Sequence, residues 1–189
     1  MTVQKNMKHS GIILLLFAFG IASCEKSPED LVAQKVKSLS EMSELGTVEY
    51  TVKKIIKADD AAWYKYGERK ILFSSISYLK AGVDMKDFSA DKIVIDKGAK
   101  SITATLPKPK LLSFNMPPES IHQEFVNVSG FRLNFSPEEK QNLKVQAEED
   151  IIADIPNLGI LEDAEENARD FFVALFSLVG YDNITVNFE

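Results

Sequence analysis

The order of the hydrophobic patterns along the chain restricts its fold more than any other feature. Apolar residues recur at every second position through the middle of the chain, from Thr47 to about residue 128. They recur at every third or fourth position after Ser27 and again after Ser136. A period of two predicts half-buried strands, and a period of 3.6 predicts amphipathic helices. Strands grouped before helices, without βαβ alternation, favour an α+β fold. We expect a mainly antiparallel sheet with an N-terminal helix and two C-terminal amphipathic helices packed on it.

The predicted strands follow one another closely. The first begins at Thr47 and is followed by a loop from Asp59 to Gly67, whose aromatic residues either plug the edge of the core or line a ligand site; we favour the former. In the segment Lys97–Lys100 we predict a hairpin turn in which Gly98 takes a positive φ. The other strands are predicted at Lys70–Ala81, Lys92–Asp96, Ser101–Leu106, Lys110–Asn115 and Ser120–Val128, with a last one through Ile184, Val186 and Phe188.

Three helices are predicted from their end signals. Ser27 and Pro28 are suited to the N-cap and first position of a helix that we place at Pro28–Glu44. Ser136 and Glu139 have the spacing of a capping box, which opens a helix ending before Pro156. The last helix ends near Gly180. Its predicted inner face consists of Leu161, Ala164, Ala168, Phe171, Leu175 and Leu178.

A short apolar run near the start of the chain is typical of a secretory signal. Ile12–Ala22 follows Lys5 and Lys8 and is shorter than the ~18–20 residues that cross a bilayer. We therefore predict a removable leader, residues 1–23, rather than a permanent membrane helix. The small residues before Cys24 resemble the lipobox of bacterial lipoproteins, in which the cysteine carries a diacylglycerol. Plain cleavage after Ser23 is the alternative, but Cys24 is the only cysteine in the chain, and lipidation explains it.

The charge of the chain restricts its partners. The formal net charge is −6, and loss of Lys5 and Lys8 with the leader makes it −8. An acidic surface repels nucleic acid and anionic lipid, so no nucleic-acid partner is predicted and membrane attachment would depend on the lipid at Cys24. We predict a bacterial cell-envelope location, with the outer membrane favoured. Residues 24–46 are predicted to form a lipidated tether and helix, and residues 47–189 a single α+β domain.

Six short strings, in the order in which they occur, resemble the bacterial domain of unknown function 4230. The resemblance extends from about Glu41 to Glu189, which is nearly all of the mature chain. It implies a family of small, often membrane-attached bacterial proteins without an assigned activity, and it supplies no catalytic residues. The strings are Glu44–Thr47, Gly67–Phe73, Lys80–Met85, Ile102–Pro109, Ala164–Ala168 and Gly180–Tyr181.

No motif fixes a catalytic site. His122 is the only histidine outside the leader, and no cysteine or histidine cluster has zinc spacing, so no metal or cofactor is predicted. The acidic runs after Ala147 and Leu161 are interpreted as solvated helix faces. Arg69, Asp84 and His122 are the candidate ligand-binding residues, on the expectation that their side chains converge at one end of the sheet. The alternative is that Arg69 and Asp84 form structural ion-pair or turn contacts and His122 is a surface residue.

The sequence thus predicts a lipid-anchored cell-envelope protein that binds an envelope protein or a small ligand without catalysis. This prediction depends on two observations. The chain has a good lipid-attachment signal and a well-patterned hydrophobic core, and it has no convincing group of catalytic residues. A hydrolase that uses carboxylates and His122 is one alternative. A self-assembling membrane scaffold is another, on fold analogy with band-seven proteins alone.

Overall fold

A computed structural model describes residues 28–60, 64 and 66–189, and it confirms the α+β class. The described helices are α1 (Pro28–Ser40), α2 (Pro137–Asp154) and α3 (Ile160–Ser177). The described strands are β1 (Glu44–Asp60), β2 (Arg69–Asp84), β3 (Ile93–Asp96), β4 (Ser101–Leu106), β5 (Lys110–Asn115), β6 (His122–Val128) and β7 (Asn183–Phe188). The predicted leader, the tether with Cys24, and Trp63 lie outside the described residues.

Strands β1 and β2 form a long antiparallel hairpin. Their register runs from Glu44 opposite Asp84 to Asp60 opposite Arg69, so at ~3.3 Å per residue the hairpin is about 50 Å long. We call the end of the hairpin at Asp60 and Arg69 the hairpin tip. The name includes the described residues of the β1–β2 loop and the loop after β6, residues 129–135. The other edge of β2 pairs with β6 near the tip and with β5 towards the opposite end, both antiparallel. Strand β2 is therefore the centre of a four-stranded sheet.

A second sheet lies at the end of the hairpin away from the tip and has the order β3-β4-β7. Strands β3 and β4 are antiparallel, whereas β7 runs parallel to β4, with Val186 opposite Ala104. The last residue of the chain continues this pairing, because the Glu189 backbone N–H donates to the Leu106 carbonyl and its carbonyl accepts from the Lys108 N–H. The C-terminal strand predicted from Ile184, Val186 and Phe188 is confirmed.

One face of the hairpin carries three apolar clusters, one after another along its length. At the tip, Ile56 and Phe73 pack with residues of α2. In the middle, Leu79 contacts the end of α2 and the start of α3. At the far end, Val83 joins α1, the second sheet and the rest of α3. Because α2 and α3 both lie on this face, the opposite face of the hairpin is left without a covering helix in the described part of the chain.

Gly46 allows α3 to approach the hairpin closely. It lies in a bulge of β1, between Leu45 and Val48, and has a φ of +61°. A Cβ atom there would lie 2.4 Å from the Ala168 backbone nitrogen and 2.7 Å from the Ala164 carbonyl oxygen. Small residues on α3 and a glycine on β1 thus allow the two backbones to lie close together. The positive φ and the close contact with α3 each favour glycine over any other residue at position 46.

Several predicted boundaries are corrected by the structure. The first helix ends at Ser40 rather than Glu44, and β1 already begins at Glu44. Strand β1 also continues through Asp59 and Asp60, which the sequence assigned to a loop, because these residues pair with β2. In the β3–β4 turn the residue with positive φ is Lys100, at 47°, rather than Gly98. The predicted strands at Ser101–Leu106 and Lys110–Asn115 have the observed bounds.

The buried face of α3 is rotated from the predicted one. Ala164 and Ala168 are buried as expected, but the stripe continues through Phe172 and Phe176. Phe171 is 39% exposed and Leu178 is 80% exposed. The rings of Phe172 and Phe176 lie 4.7 Å apart between centroids and belong to the largest fully buried side chains.

Candidate functional site

Two arginines and two carboxylates form a connected cluster at the hairpin tip. Arg69 Nη2 donates to Asp60 Oδ2 at 2.7 Å and to Glu139 Oε1 at 2.8 Å. Arg132 donates to the same Asp60 carboxylate and, at 3.1 Å, to the Asp60 carbonyl. The Arg69 guanidinium also stacks over the ring of Phe135, 4.6 Å from its centroid. The side chains of Arg69 and Arg132 are 13% and 9% exposed, so the two arginines are largely enclosed.

Each element brings its part of this cluster for a local reason. Asp60 and Arg69 are directly opposite each other in the β1–β2 register, which places their side chains on the same face. Glu139 is held by the capping box of α2, in which its carboxylate accepts from the Ser136 backbone N–H and its own N–H donates to Ser136 Oγ. The predicted capping box is therefore confirmed, and its carboxylate has a second role as an ion-pair partner.

The contacts within the cluster favour the charged forms of Arg69 and Glu139. Hydrogen bonds to Glu139 and Asp60 raise the pKa of Arg69. Hydrogen bonds from Arg69 and from the Ser136 backbone lower the pKa of Glu139 to about 2. Since Glu139 stays ionised and Arg69 stays protonated, neither is suited to donate or accept a proton in a reaction near pH 7. The role of the cluster is structural: its ion pairs and hydrogen bonds join β1, β2, α2 and the loop that precedes α2. We call it the clamp.

Above this clamp, three large apolar side chains extend into solvent. Tyr66 is 77% exposed, Phe131 is 91% exposed and Leu133 is 83% exposed. The Tyr66 and Phe131 rings lie 5.8 Å apart between centroids. Together with Arg69 and Arg132 the three residues line an open cleft of about 410 Å³. Apolar side chains of this size, grouped and exposed, are typical of a surface that contacts another molecule.

The two loops that carry these side chains are fixed to each other by their backbones. The Glu68 N–H donates to Ser129 Oγ, the Ser129 N–H donates to the Glu68 carbonyl, and the Phe131 N–H donates to the Tyr66 carbonyl. A Cβ on Gly67 would lie 2.1 Å from the Ser129 carbonyl oxygen. A side chain at position 67 would collide with the other loop, which explains why this residue is glycine. The loops that carry Tyr66 and Phe131 are therefore held in a fixed position relative to each other.

Asp84 lies at the opposite end of β2 from Arg69. Its carboxylate forms an ion pair with Lys110 at 2.9 Å and accepts from the Lys86 backbone N–H at 3.1 Å. The hydrogen bond from Lys110, followed by that from Lys86, lowers the pKa of Asp84. Because 15 residue steps of an extended strand separate Arg69 and Asp84, the structure does not bring these two candidates together.

His122 is exposed at the start of β6, opposite Ser74 of β2. The Ser74 hydroxyl donates to Glu124, two residues further along β6, rather than to the imidazole. The hydrogen bond that a serine nucleophile would donate to its histidine base is thus donated to a carboxylate instead. The expected convergence of Arg69, Asp84 and His122 is therefore absent, and their role in ligand binding stays a prediction.

The sequence pointed to only part of the tip. The prediction that the aromatic residues of the loop plug the edge of the core is wrong for Tyr64 and Tyr66, which are 69% and 77% exposed. Phe131, Arg132 and Leu133 lie outside every element and site predicted from the sequence. Their signal is the grouping of three large apolar residues between Gly130 and Ser136, outside the predicted strands and helices. Of these three, Phe135 is buried, whereas Phe131 and Leu133 are exposed.

Among residues 28–60, 64 and 66–189, no group of three or more histidine, cysteine, aspartate or glutamate side chains is placed to hold a metal ion. Over the same residues, no helix combines the length and the apolar character needed to cross a bilayer.

Comparison with known proteins identifies one family. A family model described as a protein of unknown function, DUF4230, matches residues 37–186. No curated protein and no solved structure matches the chain.

Proposed function

Because the chain belongs to the DUF4230 family of proteins of unknown function, we propose a function for it from its own residues. The protein is a lipid-anchored binding module of the bacterial cell envelope. It is held to a membrane, with the outer membrane favoured, by acyl chains on Cys24. It binds an envelope protein through the hairpin tip, where Tyr66, Phe131 and Leu133 are exposed above Arg69 and Arg132, and it does so without catalysis.

The binding proposal depends on one observation: Tyr66, Phe131 and Leu133 are exposed together on loops that ion pairs and backbone hydrogen bonds hold in place. Aromatic residues and arginine are the side chains most enriched at the energetic centres of protein interfaces. A base fixed by ion pairs and backbone hydrogen bonds reduces the ordering cost of association. A protein partner fits better than a small ligand, because the cleft is open and its apolar side chains extend outward instead of enclosing a volume.

The position of the tip agrees with an anchor at Cys24. Helix α1, which follows the cysteine, packs at the end of the hairpin away from the tip, where Val32 and Leu39 join the cluster around Val83. The tip is about 50 Å from that end at ~3.3 Å per residue. A chain attached through Cys24 can therefore present its tip well beyond the lipid head groups.

The anchor is tested by metabolic labelling with an alkyne analogue of palmitate in the bacterium. The native protein is expected to incorporate the label and to fractionate with membranes. Cys24→Ser is expected to lose the label and the membrane fraction together. Labelling that persists in Cys24→Ser would contradict the anchor, whatever the tip binds.

Partner binding is tested by placing a photo-crosslinking phenylalanine analogue at position 131 in cells. Its matched control is the same analogue at Val94, which is 65% exposed in the second sheet. We expect a discrete protein adduct at position 131 only, and we expect Tyr66→Ser combined with Leu133→Ser to abolish it. Equal adducts at positions 131 and 94, or an adduct indifferent to the double substitution, would contradict a binding site at the tip.

A further inference from the structure

The face of the hairpin that no described helix covers has a mixed basic and apolar surface. We call it the outer face and define it by Lys53, Ile55 and Lys57 of β1, Leu72 and Tyr78 of β2, and Phe125 of β6. These residues share one side of the sheet, since Lys57 is opposite Leu72 and Phe125 pairs with Leu72 from the other edge. Ile55, Tyr78 and Phe125 are each half exposed or more. A shallow groove of about 200 Å³ lies between Lys57, Leu72 and Phe125.

The lysines of this face are unevenly paired. Lys70, beside the groove, pairs with Asp59 and Glu68. Lys53 and Lys57 are exposed and have no ion-pair partner among the residues described. In a chain with a net charge of −6, the outer face therefore presents two uncompensated positive charges on either side of an exposed isoleucine.

The opposite side of the molecule has the complementary character. Helix α2 contains six acidic residues and two lysines, and α3 contains five acidic residues and one arginine. On α2, Val145 and Ile152 are 43% and 42% exposed, and Glu148 and Glu149 lie between them. A helix repeats every 3.6 residues, so Val145, Glu149 and Ile152 share the face directed away from the buried Ala147 and Ile151. We call this surface the acidic helix face.

From this complementarity we propose that the outer face of one copy of the chain docks on the acidic helix face of a second copy. Lys53 and Lys57 meet the carboxylates of Glu148 and Glu149, while apolar residues of the outer face meet Val145 and Ile152. Both patches are apolar in part, so the contact removes hydrophobic surface from water as well as pairing charge.

This contact is heterologous and does not close on itself as a dimer. The two patches are on opposite sides of the same molecule, so each docked copy leaves one patch free for the next. The copies stack across the sheets, perpendicular to the long axis of the hairpin. In such a row every hairpin can direct its tip the same way and keep α1 on the opposite side, which agrees with attachment of all copies to one membrane.

An anionic membrane fits the outer face less well than a second copy does. Attraction to anionic lipid contributes about 1 kcal/mol per basic residue near the surface, and recognition typically needs clusters of four to eight. The outer face has two uncompensated lysines, and Glu49 and Asp59 lie on the same side of β1. The helix of a second copy supplies both carboxylates and apolar side chains.

The test is sedimentation velocity of the full chain over a concentration series in a non-ionic detergent, at low and high salt. We expect species larger than a monomer that disappear at high salt. Lys53→Glu with Lys57→Glu, and separately Glu148→Lys with Glu149→Lys, are each expected to weaken the association by at least about tenfold, because two attractive pairs become repulsive. An equal mixture of the two double variants is expected to restore association, because the two native patches are complementary at one contact and the two reversed patches are complementary at the next.

The matched control is Lys86→Glu with Lys108→Glu, which makes the same change in net charge at exposed positions outside both patches. We expect it to associate as the native chain does. A native chain that stays monomeric, or a mixture of the double variants that fails to associate, would overturn the proposal. A third result would also overturn it: a Lys53→Glu, Lys57→Glu variant that sediments as the native chain does but floats less with phosphatidylglycerol vesicles than the native chain, with no such difference for phosphatidylcholine vesicles. The outer face would then bind anionic lipid and not a second copy. Every one of these readouts is independent of what the hairpin tip binds.

Discussion

Replacing Gly46 with alanine tests whether the contact between β1 and α3 limits the stability of the fold. At its φ of +61° an alanine would pay the left-handed penalty of about 1–2 kcal/mol. Its Cβ would in addition lie 2.4 Å from the Ala168 nitrogen and 2.7 Å from the Ala164 oxygen, which forces the helix away from the strand. Overpacking of this kind costs about 1–3 kcal/mol, so the total loss expected for Gly46→Ala is about 2–5 kcal/mol.

Gly180 supplies a matched control for this experiment. Its φ is +87°, and in the part of the chain that the structure describes, no atom beyond its chain neighbours lies within 4 Å of the position that a Cβ would occupy. Gly180→Ala therefore carries the backbone penalty without the collision, and both variants lose the same flexibility in the unfolded chain. The difference between them, about 1–3 kcal/mol, isolates the collision with α3.

The assay is urea unfolding followed by circular dichroism, with thermal unfolding as a second measure. For a chain of this size 1 kcal/mol corresponds to about 2–4 °C in Tm. We expect Gly46→Ala to unfold at clearly lower urea and lower temperature than Gly180→Ala. Equal midpoints for the two variants would refute the close approach of β1 to α3, because the backbone term alone would then account for both.

Three further predictions concern the core and the clamp. Phe172→Ala is expected to lower the free energy of unfolding by about 3–5 kcal/mol, measured in urea, whereas Phe171→Ala should cost less than about 1 kcal/mol; comparable losses would contradict the observed burial of α3. Glu139→Gln should lower Tm at pH 7, and the gap to the native chain should close as the pH falls from about 5 towards 2. This sign follows because the folded pKa of Glu139, about 2, lies below its ordinary value of 4.5; a gap that persists at pH 2 would count against the ion pair with Arg69. Ser75→Ala should raise the free energy of unfolding in urea by about 1 kcal/mol, because the Ser75 hydroxyl is buried without a hydrogen-bond partner among the described residues; a lower free energy of unfolding would show that the hydroxyl has a partner.

Local patterns predicted the elements whose determinants lie within a few residues. The bounds of β4 and β5 and the capping box of α2 follow from alternation and from side chain to backbone hydrogen bonds, and all are observed as predicted. The end of β1 was missed because its cause is distant along the chain. Asp59 and Asp60 have low strand propensity, but they pair with Lys70 and Arg69 across the hairpin, where the charges are complementary.

The face of α3 could not be fixed from spacing alone. Phe171 and Phe172 are adjacent, and each continues a spacing of three or four residues from Ala168. The choice between them depends on where β1 and the second sheet lie relative to the helix. The close contact at Gly46 places Ala164 and Ala168 against β1, and residues at further steps of four, Phe172 and Phe176, then enter the core.

For the candidate site, part of the outcome was available from the sequence. A long strand that begins near Arg69 and ends near Asp84 separates those residues by tens of ångströms, so their convergence was excluded by the strand prediction itself. The partners of Arg69 were not available, because Glu139 is 70 residues away and Arg132 is 63 residues away. Such a cluster depends on the docking of α2 at the tip, which no local pattern encodes.

The parallel pairing of β7 with β4 has a consequence for how the chain reaches its fold. The β1–β2 hairpin joins residues that are close in sequence, whereas β7 joins Asn183 to Ser101 and Phe188 to Leu106, more than 80 residues apart. Closing a loop of that length slows folding, since its entropy is lost before the contacts form. Until β7 has been synthesised, the second sheet lacks a strand and β4 has an open edge. The second sheet therefore completes its core after most of residues 28–182 are made, and loss of β7 would leave that edge available for pairing with another molecule.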